Sequence, residues 1–173
     1  ITTRELVNFL ENNAKIPLRS LYIIVDDRRP GAVREHFMPY LQKYDWTLTL
    51  GWIIGDTDTR AASVLDCCPG ESFTTLWEQM EAYNATGYLD IQSHGNVHNI
   101  PVSEASTEEY ILSELNISRQ VIQEHFYCKD YATGQPIENC QTDQPLAYIW
   151  PGGGFTPRAA ELARESGYHV AFT

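Results

Sequence analysis

No stretch of the 173 residues approaches the ~18 consecutive apolar side chains that a membrane-spanning helix requires. No basic-then-apolar leader stands at the N-terminus, so any secretion signal is expected to have been removed or never to have belonged to this stretch of chain. Positive charge is scarce: 12 Lys and Arg face 23 Asp and Glu, a formal net charge of -11. A chain with no visible basic patch is a poor match for the phosphates of nucleic acid or for an anionic membrane surface. A neutral or partly cationic polymer is compatible with it. Cysteine is sparse, and adjacent Cys67 and Cys68 lack the C-x-x-C spacing of a zinc ribbon or a thioredoxin-like site. Cys128 and Cys140 bracket a polar stretch, KDYATGQPIEN, that a disulfide could close into a loop in an oxidising compartment. The plainer alternative is four unrelated thiols.

The residues that are present form a regular alternation. A hydrophobic fraction of 43% and a charged fraction of 20% suit one soluble domain with a sizeable core. Residues 21–25 (LYIIV) form a continuous apolar run, as expected of a strand buried on both faces. Helical spacing follows over 33–44, with Val33, Phe37, Tyr40 and Leu41 on one face. Strands are predicted at 46–54, 88–92, 147–150 and 168–172. Helices are predicted at 73–83, at 107–126 (apolar Ile111, Leu115, Ile117, Val121 and Ile122), and from Pro157 to Gly167. Such alternation implies parallel strands joined by right-handed crossovers, either as an open doubly wound sheet or as an α/β barrel. The loop 56–72 is long enough to be a functional insertion.

In both architectures sites gather where strands end and loops begin, and three polar groups stand there. Asp26-Asp27 follows the first apolar run. Neighbouring carboxylates on extended backbone point in different directions, so one can bind metal while the other handles a proton; alternatively the pair caps a turn in water. His94-Gly95-Asn96-Val97-His98 follows the third strand. Its i, i+4 spacing puts both imidazoles on one face of a helical turn, where they can ligate a single ion. The competing reading is two loop histidines with ordinary hydrogen bonds. Trp150-Pro151-Gly152-Gly153-Gly154 ends the fourth strand. Its glycines either let backbone N–H groups approach a ligand as an oxyanion hole or simply make a flexible loop. One Asp and two His suit Zn²⁺ or a similar ion, with positions left for water and substrate.

The order strand-Asp-Asp, strand-Ser-His-x-x-x-His, strand-Pro-x-Gly resembles the polysaccharide deacetylases, the NodB-homology or carbohydrate esterase family 4 domain. The segments that carry the likeness are IIVDD, QSHGNVH and YIWPGGGFTPRAAELARESGYHVAFT. It runs over essentially all of the chain and is strongest to the branch acting on poly-N-acetylglucosamine. The resemblance implies a distorted (β/α) barrel over residues 1–173. It also implies hydrolysis of acetyl groups from a carbohydrate, an N-acetylglucosamine polymer or acetylated xylan, outside the cell or in its envelope. By the same likeness Asp26 is the general base acting on a metal-activated water. Asp27, His94 and His98 hold a divalent ion, Zn²⁺ first and Co²⁺, Ni²⁺ or Fe²⁺ next. The Gly152 N–H, in the turn with Pro151, binds the oxyanion, and Trp150, Pro151 and Arg28 line the substrate.

The pattern departs from the family in three places. Arg28-Arg29-Pro30 follows the Asp pair where the family has Gly; these guanidiniums lower the pKa of the base, select an acidic substrate group, or are solvated loop charges. Ile149 and Trp150 occupy the neighbourhood of the family's arginine. The Leu-His motif of the general acid is not found before Thr173, and His36, His125 and His169 are read as structural or surface residues. The domain is therefore expected to be partial, with an open sheet edge for a partner or a further chain segment to cover. A non-catalytic carbohydrate-binding protein on the same fold is the alternative. Trp52 and Trp150, near strand ends, are candidates for stacking on a sugar ring; Trp77 reads as core and Trp46 as either.

Overall fold

In this computed structural model, residues 1–26, 32–55, 76–97, 101–130 and 132–173 are described. Among the described residues five parallel strands form the main sheet: β1 (Ile24–Val25), β2 (Leu48–Trp52), β3 (Leu89–Ser93), β6 (Ala147–Ile149) and β7 (Val170–Phe172). Between β3 and β6 the chain makes a small antiparallel hairpin of β4 (Lys129–Asp130) and β5 (Gln135–Pro136). The helices are α1 (Thr3–Asn12), α2 (Met38–Tyr44), α3 (Leu76–Ala85), α4 (Glu108–Ile122) and α5 (Pro157–Glu165). A π-helical turn, Val33–Phe37, leads into α2, and another, Gln123–Tyr127, continues α4.

Strand order decides between the two expected architectures. Neighbours in the main sheet follow chain order, β1-β2-β3-β6-β7, with no reversal. A doubly wound sheet reverses direction at a switch point, whereas a barrel adds each strand beside the last. The sheet also curls: Tyr22, just before β1, stacks on Phe172 of β7 with ring centroids 5.4 Å apart. The fold is thus a curled half-barrel of α/β units, as expected.

Side-chain parity gives the half-barrel an outside and an inside. Leu48, Leu50 and Trp52 of β2 and Leu89 and Ile91 of β3 face outward, packing with Met38, Leu41, Met80, Tyr83, Ile122 and Phe126 from the helices. A second apolar cluster joins Tyr148 and Trp150 to Ile111 and Leu115 of α4 and Leu162 and Ala163 of α5. The alternate residues, Thr49 and Gly51 on β2 and Asp90 and Gln92 on β3, line the inside. Helix α1 closes the bottom of this interior. Its buried Thr3 gives its N–H to Asp90 (2.7 Å) and places its hydroxyl 2.8 Å from that of Tyr22 and 3.3 Å from that of Thr49.

Several elements differ from their predicted form. The run 21–25 contributes only Ile24 and Val25 to the sheet, and Leu21 is 63% exposed, because β1 is an edge strand rather than a central one. Ile117 of α4 is exposed, and the polar Glu114 and Ser118 occupy its buried face instead. Cys128 and Cys140 are joined by a disulfide that closes the β4–β5 hairpin. The whole of the loop 56–72, with Cys67 and Cys68, lies outside the described residues.

Candidate active site

The C-terminal ends of β1, β3 and β6 lie at the same end of the half-barrel, and the polar groups singled out in the sequence follow them. Asp26 comes directly after β1, with a side chain 61% exposed. His94 comes directly after β3 and is only 1% exposed. Its inward direction follows from parity: it continues the face of Asp90 and Gln92, whereas Ser93 turns outward to meet Ser118 of α4 at 2.7 Å. Gly51 on β2 makes room for it. A Cβ at Gly51 would stand 3.1 Å from Ile149 Cδ1 and 3.4 Å from His94 Cβ.

One hydrogen bond orients the imidazole. His94 Nδ1 lies 2.9 Å from the Ile149 carbonyl oxygen. A carbonyl can only accept, so Nδ1 carries the proton and Nε2 is left as the metal-binding or basic nitrogen. That nitrogen is 3.7 Å from Asp26 Oδ2, beyond direct hydrogen-bond distance and within that of an ion pair. A ring whose second nitrogen donates to a carbonyl is the usual arrangement of a metal-ligating histidine. The residue therefore fits a metal on the chemistry of its donor atoms.

The turn after β6 reaches the same region. Pro151 begins a single 3₁₀ turn, Pro151–Gly153, and Pro151 Cγ lies 3.5 Å from where a Cβ on Gly95 would stand. Gly152 has φ +59° and Gly153 φ +69°, values that favour glycine. The turn uses the N–H groups of Gly153 and Gly154, on the carbonyls of Trp150 (2.9 Å) and Pro151 (3.2 Å). Gly152 itself is exposed, as an oxyanion donor must be.

Structure brings Asp26 and His94 together and sets Pro151 beside Gly95, the residue after His94. Asp27, Arg28 and His98 lie outside the described residues, and among the described residues no group of three His, Cys, Asp or Glu could hold a metal ion. Two aromatic expectations need correction. Trp52 and Trp150 are buried, because both share the outward parity of their strands. Trp52 packs against Trp77 and Phe126, and Trp150 against Tyr148. Neither presents a ring face to a sugar. Half-exposed Phe155, 6.2 Å from Trp150 between ring centroids, reaches solvent beside the turn.

Sequence reading missed the supports of the site: Gly51, Gly55, Ser118 and Glu114. Glu114 left a signal. It sits one turn from Ile111 and Ser118 on the buried stripe of α4, and a carboxylate there demands a partner.

A family model described as polysaccharide deacetylase matches residues 14–171. No significant match is found among curated proteins. Among solved structures, the Streptococcus pyogenes deacetylase PplD in complex with acetate superposes with a TM-score of 0.71 at 19% identity, over 98% of this chain and 62% of that one. IcaB from Ammonifex degensii superposes with a TM-score of 0.68 at 18% identity, over 100% and 67%. A CE4 family pseudoenzyme from Bacillus anthracis superposes with a TM-score of 0.56 at 10% identity, over 87% and 43%. The chain thus spans 62% of the length of the first of these structures. At such identities the likeness speaks for the fold.

Proposed function

The chain belongs to the polysaccharide deacetylase family, and from that premise we propose that it removes acetyl groups from an extracellular carbohydrate in a metal-dependent hydrolysis. The observation that carries this reading is His94, pinned through Nδ1 to the Ile149 carbonyl and aimed through Nε2 toward Asp26 at the mouth of the half-barrel. Asp27, His94 and His98 are the residues to hold a divalent ion, Zn²⁺ before Co²⁺, Ni²⁺ or Fe²⁺. Such an ion would polarise the acetyl carbonyl and lower the pKa of a water nearby. Asp26, exposed and beside the ring, takes the proton from that water. The Gly152 N–H donates to the developing oxyanion. Arg28 flanks the substrate, while Pro151, which is buried, shapes the turn that presents Gly152. The substrate is an N-acetylglucosamine polymer, by the resemblance that the sequence motifs carry, or an acetylated xylan. A disulfide in the β4–β5 hairpin and the excess of negative charge accord with an extracellular or envelope location and a neutral or cationic polymer.

Acetate release from acetylated chito-oligosaccharides, measured with added Zn²⁺, tests the reading. Asp26→Asn should abolish release while leaving metal stoichiometry unchanged. Release undiminished by that substitution would remove Asp26 as the base. The likeness to a pseudoenzyme, together with Ile149 and Trp150 where the family carries an arginine, favours a second reading: a carbohydrate-binding protein without turnover. Calorimetry that detects oligosaccharide binding with no acetate under any added metal would select it.

A further inference from the structure

Three consecutive backbone N–H groups follow His94, and side chains capture all three. Gly95 N–H donates to Ser93 Oγ (3.2 Å). Asn96 N–H donates to Glu114 Oε2 (2.8 Å), and Val97 N–H is shared between Oε2 (3.0 Å) and Oε1 (3.2 Å) of the same carboxylate. Successive N–H groups converging in this way make a concavity for an anion. Here the anion is the protein's own Glu114, 2% exposed, held there by α4. The carbonyls of the loop are bound from the opposite side: Ile54 N–H donates to Gly95 O (3.2 Å) and Gly55 N–H to Asn96 O.

The fit leaves no slack at two glycines. Gly95 has φ +88°, and a Cβ there would stand 2.7 Å from Glu114 Oε2 and 3.0 Å from the Tyr148 hydroxyl. A Cβ on Gly55 would collide with the Asn96 carbonyl. Residues 95–97 are thus clamped between the end of β2 and a buried carboxylate on α4. They are also the whole of the chain between His94 and His98 in sequence.

The geometry points to Glu114 as the positioning residue of the metal site, acting through the backbone of Asn96 and Val97 rather than by touching metal or substrate. This rests on the reading of His94 and His98 as ligands. A charge-assisted pair of hydrogen bonds fixes the backbone between them more firmly than a neutral acceptor would. Glu114→Gln keeps the size of the side chain but turns an amide donor toward a backbone N–H.

Titration of the metal-free full chain with Zn²⁺, followed by calorimetry, and the visible absorption of its Co²⁺ form test the inference. Glu114→Gln should weaken the Zn²⁺ Kd by about 10- to 100-fold, the range seen when the residue supporting a ligand is lost, and should change the Co²⁺ spectrum. Ile111→Val, a buried trim on the same helix, should lower the thermal midpoint and leave Kd within twofold. Gly95→Ala should reproduce the loss of affinity, and it serves as the deciding variant if Glu114→Gln does not fold. A folded Glu114→Gln or Gly95→Ala variant with Kd within twofold of the unaltered chain overturns the inference, as does an equal loss in Ile111→Val. An unaltered chain that binds no metal overturns the functional reading first, and this inference with it.

Discussion

His94 and Gly51 are a matched pair, one filling the space the other leaves. With Ile149 Cδ1 3.1 Å and His94 Cβ 3.4 Å from a Cβ at position 51, one added methyl is met by movement of the flexible end of Ile149. A branched side chain has no such escape and presses on the imidazole. Gly51→Ala should therefore be mild, and Gly51→Val should cost about 1–3 kcal/mol, the usual range for overpacking. Urea unfolding of the two variants measures the difference; equal midpoints would mean that the strand shifts as a whole. Asp26 and His94 were legible in the sequence because residue type and strand-end position agree. Gly51 and Glu114 were not, since their importance lies in contacts with segments distant in the chain. Trp52 and Trp150 were misread by placing them at strand ends without counting parity. Counting in twos from Leu48 through Leu50 puts Trp52 on the helix side. Tyr148 does the same for Trp150.

Among the elements, the central strands were the most legible, because long apolar or alternating runs survive any choice of neighbour. Strands predicted at 88–92 and 147–150 are observed at Leu89–Ser93 and Ala147–Ile149. Helix α1 went unread although its first turn carries a complete capping box, with Thr2 and Glu5 each accepting the other's backbone N–H. Its apolar stripe is short, and its two buried residues are Thr3 and Val7. The β4–β5 hairpin also escaped, since two-residue strands have too few positions to show a period. What holds such a hairpin is covalent: Cys128 and Cys140 close a loop with a sequence separation of 12. A ring of that size restricts the unfolded chain by about 3 kcal/mol in the chain-entropy model. The double substitution Cys128→Ala, Cys140→Ala should destabilise the protein by about that amount, read as a lower denaturant midpoint under non-reducing conditions. Adding reductant should lower the midpoint of the unaltered chain by more than that of the variant.

At the scale of the whole molecule, alternation of strand and helix was enough to predict a parallel sheet but not its closure. Periodicity within elements carries no information on which strands lie side by side; the family likeness supplied the barrel, and the strand order bears it out. Folding leaves a thermodynamic mark through two buried phenols, one at the seam of the curled sheet and one under α4. Tyr22 stacks across the gap on Phe172 and meets Thr3 of α1, and Tyr168 lies under α4, donating to the Leu115 carbonyl at 3.0 Å. Burial pushes each phenol up to about 12, with hydrogen bonds to hydroxyl groups offsetting part of the rise. The folded state therefore holds these protons more tightly than the unfolded chain, whose tyrosines titrate near 10. Below pH ~10 both states are protonated and the contribution is complete. Between about 10 and 12 the unfolded chain ionises first, so stability falls as pH rises, by up to ~1.4 kcal/mol per pH unit for each phenol. Urea midpoints at pH 9, 10 and 11 should decline accordingly. Tyr168→Phe should be less stable at pH 9 through loss of its hydrogen bond, yet should lose less on going to pH 11. A slope equal to that of the unaltered chain would mean that the Tyr168 hydroxyl ionises as easily folded as unfolded, and that α4 does not seal this side of the half-barrel.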